Sequence, residues 1–535
     1  MSIRLTSALV FLTVFPVVTA QTPDLTMQTR IRQEGFRNSK VMEIASGLTD
    51  GIGARLTGSP NMKRANEWTR QKLTEFGLSN SHLESWGPFG RGWSCESSSV
   101  RLTRPDVVQL TAFPKAWSPG TNGPIRGTPL KVKLENKEDL EKNKGKLAGR
   151  IVMSSEPREL KPRETPDLAR YSDTELAKLA EFDISRPTRT GDPLRRRQFR
   201  RELAQFLQDE KVLALIEQGS GDFGIFTVQQ SGFQKAEDPT GVPAVTMSPE
   251  HYGRIARMLD AKQDVEVEID FHTTFHDQDL NAYNTIAEIP GSDKKGEVVM
   301  LGAHLDSWHA GTGATDNAAG CAATMEAVRI LKALGVTPRR TIRIGLWSGE
   351  EQGLLGSRAY VAQHFGKRAE PKDPAQRALP ASMRTEKTPL ELKPEHTKLS
   401  AYFNMDNGTG KIRGIYAQEN AAVRPIFEAW LEPLKDIGAT TVTVRNTGST
   451  DHMPFDEVGL PGFQFIQDNV QYTTRTHHTN FDTYERLQRD DLMQAAVVIA
   501  TFVWEAANRP ELLPRKPVDR ALPAAVAMPA EPGAP

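Results

Sequence analysis

Apolar residues along this chain recur with two periods, and each switch of period marks an element boundary. Val298–Leu301 is a short, partly β-branched apolar run, as a strand buried on both faces would be. From Asn317 the spacing becomes helical, with Ala318, Cys321, Ala322, Met325, Val328 and Leu331 on one stripe. Arg340–Trp347 (RTIRIGLW) alternates as a strand, and residues 399–405 and 462–466 are further apolar runs. Asn284–Ile289 leads into the series, and Arg489–Asn508 closes it as an amphipathic helix. This alternation predicts an α/β fold built on a doubly wound, mostly parallel sheet.

The flanking sequence has a different texture. Asn61–Phe76 keeps helical spacing through Ala65, Trp68, Leu73 and Phe76 and stops at Gly77, so residues 25–105 are expected to open the same domain. From 107 to 275, strand-like pieces (Leu130–Leu134, Arg150–Met153, Val265–Phe271) alternate with long charged segments. That pattern predicts a smaller β-rich insert, enlarged by a charged helical insertion around 157–210. Within it Gly219-Ser220-Gly221-Asp222-Phe223-Gly224 fits G-x-G-x-x-G. A dinucleotide site requires a strand before that motif and a helix after it, so that the helix N-terminus faces the phosphates. Here a helical pattern precedes and a strand, Ile225–Val228, follows, which rejects the nucleotide reading. The catalytic domain is expected over 280–508, with 366–398 as a polar, Pro-rich surface loop. Residues 509–535 read as a disordered Pro/Ala-rich tail.

Composition narrows the function. A chain of 535 residues holds two or three domains. Its 67 basic residues balance 67 acidic ones, which leaves no bulk attraction for nucleic acid. Arg4, the apolar run Ala8–Val18 and Val18-Thr19-Ala20 read as a secretory signal over residues 1–20, cleaved after Ala20. The prediction is therefore a secreted or periplasmic protein without stable membrane insertion, since no other stretch approaches the roughly 18 apolar residues of a span. Cys95 and Cys321 are expected as buried free thiols.

The candidate chemistry lies at the ends of the predicted strands. His304 and Asp306 follow the first, and Asp316 stands at the mouth of the helix beyond it. Glu350-Glu351 follows the second strand, Asp406 the third, and His477-His478 comes after the fourth. Oxygen and imidazole donors on successive strand ends point to a metal cluster at the rim where α/β sheets build their sites.

HLDSWHAGTGATDNAAG, WSGEEQG, NMDNG and HHTNFDT together resemble the co-catalytic di-zinc exopeptidases, aminopeptidases and carboxypeptidase Q-like enzymes among them, over roughly residues 30–505. The resemblance implies a protease-associated insert domain and two Zn2+ ions, with Co2+ or Mn2+ as substitutes suited to His/carboxylate donors. It makes Asp316 the bridge, His304 and Asp406 ligands of one ion, and Glu351 and His478 ligands of the other. Glu350 becomes the general base. Asp306, two residues from His304, is read as the acceptor that fixes its tautomer. Tyr472 is a candidate for the oxyanion, whereas His309 and His452 are read as pocket-wall or surface residues. The partner implied is a short unblocked peptide or dipeptide; a homodimer is a further expectation. A broad aminopeptidase, a one-zinc glutaminyl-cyclase-type acyltransferase and a non-catalytic receptor-like relative remain as alternatives.

Overall fold

The computed structural model describes residues 22–183, 193–377, 384, 386 and 388–517. The expected signal segment, residues 1–20, lies outside them, as does the tail from 518 onward. The larger body is an eight-stranded sheet of β1 (Ser79–Trp86), β2 (Ala282–Ile289), β3 (Lys294–His304), β4 (Arg340–Trp347), β5 (Leu399–Asn404), β6 (Ile412–Tyr416), β7 (Thr441–Thr443) and β8 (Gly462–Gln467). Their order is β1-β2-β4-β3-β5-β8-β6-β7. The central strands β4, β3, β5 and β8 are parallel. Antiparallel pairings join β1 to β2, β2 to β4 and β8 to β6.

Both faces of this sheet are covered, which is why its central strands read as continuous apolar runs. Val299, Leu301 and Ala303 of β3 pack on one side among α1 (Leu25–Arg37), α2 (Val41–Thr49), α3 (Pro60–Glu75), α4 (Ala319–Ala333) and α5 (Arg489–Asn508). Val298 and Met300, the alternate set, join Trp347, Tyr360, Tyr402 and Phe455 on the other. Helix α3 starts with Pro60 behind Ser59, whose hydroxyl accepts from the Met62 amide at 3.1 Å. Helix α5 is buried continuously from Asp491 to Ala507.

A second body begins earlier than the sequence suggests. Gly92–Arg104 does not join the large sheet; it pairs antiparallel with Glu266–His276, flanked by Val108–Gln109 and Ile125–Gly127. Ala112–Pro114, Ala244–Met247, Ala214–Gln218, Ile151–Met153 and Leu130–Lys131 form a five-stranded sheet beside it. The expected boundary near 105 is therefore misplaced, because the partner of this Ser-rich strand lies more than 160 residues downstream and nothing local announces it. The charged insertion does contain helices, Asp173–Ala180 and Pro193–Asp209. Ahead of the first of them the chain crosses to the peptidase body, where Arg170 meets Asp468 at 3.0 Å and Asp491 at 2.7 Å.

Three smaller expectations change. The segment before Gly219 is a strand, Ala214–Gln218, since the helix ends at Asp209; the apolar Ala-Leu-Ile run continues no helical stripe. In the insertion at 366–398, Gly366–Arg368 pairs with Leu390–Leu392, so part of it is a ribbon rather than loop. Residues 509–517 pack rather than trail away: Leu513 is buried, Arg515 donates to the Leu399 carbonyl at 2.7 Å, and Lys516 meets Asp456 at 2.7 Å. Cys321 is buried and free as expected, while Cys95 is free but only half-buried. Among the described residues no helix is long and apolar enough to cross a membrane.

Candidate metal centre

Parallel strands β4, β3, β5 and β8 end on the same edge, and their exits converge. His304 is the last residue of β3, Glu350-Glu351 follows β4, Asp406 follows β5, and the loop after β8 turns through Tyr472–Thr476 into His477-His478. Asp316 reaches the same point from the loop between β3 and α4. That loop is held by Arg55, which is fully buried and donates only to main-chain carbonyls: Leu305 at 2.7 Å, Thr312 at 2.7 Å, Gly313 at 2.8 Å and Gly53 at 3.1 Å. Gly313 has a left-handed φ of 61°, and a Cβ there would stand 2.3 Å from Ser307 Cβ and 2.9 Å from the Arg55 guanidinium. Only glycine fits that position.

The donor atoms meet around one carboxylate. Asp316 Oδ1 lies 3.2 Å from His304 Nε2, which is also 3.2 Å from Asp406 Oδ1. Asp316 Oδ2 lies 3.3 Å from His478 Nε2, which is 2.9 Å from Glu351 Oε2. Asp316 Oδ2 and Glu351 Oε1 are buried and make no hydrogen bond. Unpaired carboxylate oxygens in a dry site cost several kcal/mol unless a cation takes them up. Histidine and carboxylate donors without thiolate suit zinc and similar divalent ions, so the residues present fit a metal centre.

Electrostatics carry the same message. Burial, opposed by His304 and reinforced by Asp406, Asp451 and Glu351, pushes Glu350 well above the usual carboxylate range. Burial and the neighbouring Asp316 do the same to Glu351. Burial works against charge on His304 too, but Asp406, Glu350, Asp306 and Asp316 outweigh it and raise its pKa. Asp316 is held below its ordinary value, burial being outweighed by His304, His478 and His477. Negative charge in excess of positive, gathered in a buried pocket, is what a bound cation offsets.

The structure corrects two local readings. The Asp306 carboxylate is 3.7 Å from His304 Nδ1, whose partner is instead the Asp306 main-chain oxygen at 3.0 Å. The carboxylate accepts from the Glu350 and Glu351 amides at 3.2 Å each and from Thr57 at 2.9 Å, so it holds the loop carrying both glutamates. Two residues along an extended strand share a side, but the backbone turns after His304, and the carbonyl reaches the ring first. Secondly, His477 and His478, which as neighbours in an extended segment would be expected to point to opposite sides, lie side by side. Their rings lie 3.8 Å apart at 31°, because His478 has φ 60° and the segment is not extended. His478 Nε2 is the nearer to Asp316, with His477 Nε2 at 4.0 Å.

Tyr472 is buried, 4.9 Å from the His477 ring, and burial beside Asp316, Asp406 and Glu351 keeps its phenol protonated. His309 and His452 stay outside the donor set; His309 Nε2 pairs with the Pro114 carbonyl at 2.8 Å, and His452 is buried rather than on the surface. Asp482 was overlooked although its motif was read. It accepts from the Thr315 and Asp316 amides at 2.7 and 3.0 Å and so fixes the backbone of the central carboxylate. Arg55 and Thr57 stand in a Gly-rich turn, Gly53–Ser59, that carries no chemical motif of its own.

Residues 284–503 match the model of peptidase family M28. The chain is 26% identical to mouse carboxypeptidase Q over 471 residues, covering 88% of this chain and 86% of that protein. It is 26% identical to human carboxypeptidase Q over 484 residues, covering 90% and 88%. A peptidase M28 precursor from Shewanella amazonensis superposes with a TM-score of 0.64 at 24% identity, covering 92% of this chain and 99% of the other. A zinc aminopeptidase from Bacillus subtilis gives 0.55 at 18% identity, covering 90% and 97%. The edge of the sheet where the donors converge lies within the matched segment, so that the chain carries a peptidase family M28 domain over residues 284–503 and is a metallo-exopeptidase.

Proposed function

We propose that the centre takes two zinc ions and hydrolyses short unblocked peptides, dipeptides among them. The observation that carries the two-ion reading is the Asp316 carboxylate, whose oxygens face two different donor sets, His304 with Asp406 and His478 with Glu351. Zinc bound there would acidify a coordinated water and offset charge on the scissile carbonyl oxygen. Glu350 acts as the general base: its carboxylate takes the proton of the attacking water and returns it to the leaving amine. Its pKa, raised above the ordinary carboxylate range by burial, favours holding the proton that is then returned to the leaving amine. The Asp306 carboxylate keeps the Glu350 and Glu351 amides in place, and the protonated Tyr472 hydroxyl is the donor for the oxyanion.

The likeness to carboxypeptidase Q over most of both chains supports the reading of a short peptide as substrate. The region 92–276 is proposed as a protease-associated insert, and the apolar run after Arg4 as an export signal. One panel tests the reading: free dipeptides, N-blocked peptides, aminoacyl anilides and an N-terminal glutamine peptide, with bound zinc quantified. Dipeptide hydrolysis with two zinc ions per chain is expected. Rapid cleavage of anilides instead makes the protein a broad aminopeptidase. Glutamine cyclisation with a single zinc ion would sink the proposal.

A further inference from the structure

The G-x-G-x-x-G segment rejected as a nucleotide site has a different place in the fold. Gly221–Asp222 and Ile225–Phe226 form a tight hairpin, and a Cβ on Gly221 (φ 107°) would stand 2.2 Å from the Ile225 carbonyl oxygen. The strand leaving this hairpin docks on the loop that carries His478. The Phe226 amide donates to the Asn480 side chain at 2.9 Å, the Asn480 amide donates back to the Phe226 carbonyl at 3.2 Å, and the Val228 amide donates to the His478 carbonyl at 3.1 Å. Thr227 and Thr479 form an antiparallel bridge. Arg475, three residues before His478, is held by Asp222 of the hairpin and by Asp167 of the crossing segment at 2.8 Å.

This docking ends on the imidazole itself. The Gln229 side-chain amide nitrogen lies 3.1 Å from His478 Nδ1, while Nε2 faces Glu351 and Asp316. A half-turn of the terminal amide exchanges its NH2 and oxygen without moving the rest of the side chain. A histidine that binds metal through Nε2 carries its proton on Nδ1 and requires an acceptor there.

We propose that Gln229, carried by the insert rather than the peptidase body, is the positioning residue of His478, accepting Nδ1–H through its amide oxygen and keeping Nε2 turned to the metal. This rests on His478 being a ligand. The insert is then part of the metal centre, completing its outer half.

The test compares Gln229→Met, similar in shape but without an acceptor of comparable strength, with Gln229→Glu, which keeps one. Zinc is titrated against a chromophoric chelator in the full-length protein, and thermal midpoints are recorded with zinc removed. Gln229→Met is expected to weaken one of two zinc ions by about 10–100-fold with an unchanged metal-free midpoint, and Gln229→Glu to retain both. Should the Met variant not fold, Gln229→Lys, which only donates, makes the same comparison. Native zinc affinity in Gln229→Met, or equal weakening in Gln229→Glu, overturns the proposal while leaving the ligand assignment standing. His478→Ala, measured alongside, is expected to lose one ion; if it keeps both, the ligand assignment falls and this inference with it.

Discussion

His304 and His478 approach the same Asp316 carboxylate from opposite sides, one with a side chain 1% exposed and the other 21%. His304 ends a central strand paired on both sides, with Nδ1 on a main-chain carbonyl. His478 stands on a left-handed residue after an irregular turn, and its neighbours include a segment of a different body of the molecule. One half of the donor cluster is thus set by sheet formation alone, whereas the other combines strand-borne Glu351 with a histidine on a loop that is bridged to the insert. Local openings of a structure concentrate where buried apolar contacts are few, so the two halves should differ in how readily they release metal.

Removing what the halves share erases the comparison and gives the largest effect. Asp316→Ala is expected to lose both zinc ions, abolish measurable turnover and lower the thermal midpoint; a folded variant still holding two ions would dispose of the bridge. Glu350→Gln should spare both halves, keeping two zinc ions while turnover falls about 10²–10⁴-fold. Loss of metal in that variant would mean that base and ligand roles are exchanged between Glu350 and Glu351. The asymmetry itself is read by stopped-flow chelation of the wild type. Zinc should leave in two phases, with His478→Ala removing the fast one and His477→Ala preserving both ions; a single phase contradicts the distinction.

The smallest effect concerns acid. His452 is buried outside the donor set, 2.6 Å from the Gln418 amide, and burial depresses its pKa from 6.5 to about 4. The folded protein holds it neutral, so its contribution is complete above about pH 6.5 and is lost as pH falls through about 4. Full expression of that shift is worth roughly 3 kcal/mol at most. His452→Gln should flatten the metal-free stability profile across this window, as urea titrations at pH 7.5 and 4.5 can measure; an unchanged slope would show that His452 is not held neutral.

The same division governs what was legible in the sequence. The strand-borne donors could be read because a polar residue ending an apolar strand breaks a pattern, as at His304, Glu351 and Asp406. Strand Arg340–Trp347 and helix Arg489–Asn508 match their predicted limits, although the helix, expected to be amphipathic, is buried on every side. What escaped depends on distant chain or on backbone sign. Gly92–Arg104 carries no trace of its partner, Arg55 acts through carbonyls that have no sequence signature, and a positive φ at His478 turns two adjacent rings to one side. Asp306 is read as the acceptor for the His304 ring, whereas its carboxylate holds the Glu350 and Glu351 amides, a main-chain contact that no sequence pattern announces.

Helix α5 packs against α1, α2 and α4 in the middle of the peptidase core, yet it is the last long helix to be synthesised. On a ribosome adding about 5–20 residues per second, the stretch from β4 to α5 takes roughly ten seconds or more. For that interval the part of α4 that packs on α5 has no cover. The insert, whose sheets use only residues 92–276, can close in the meantime. Nascent chains therefore pass through a state with a finished insert attached to an open peptidase half, and it is there that a chaperone has the most to shield.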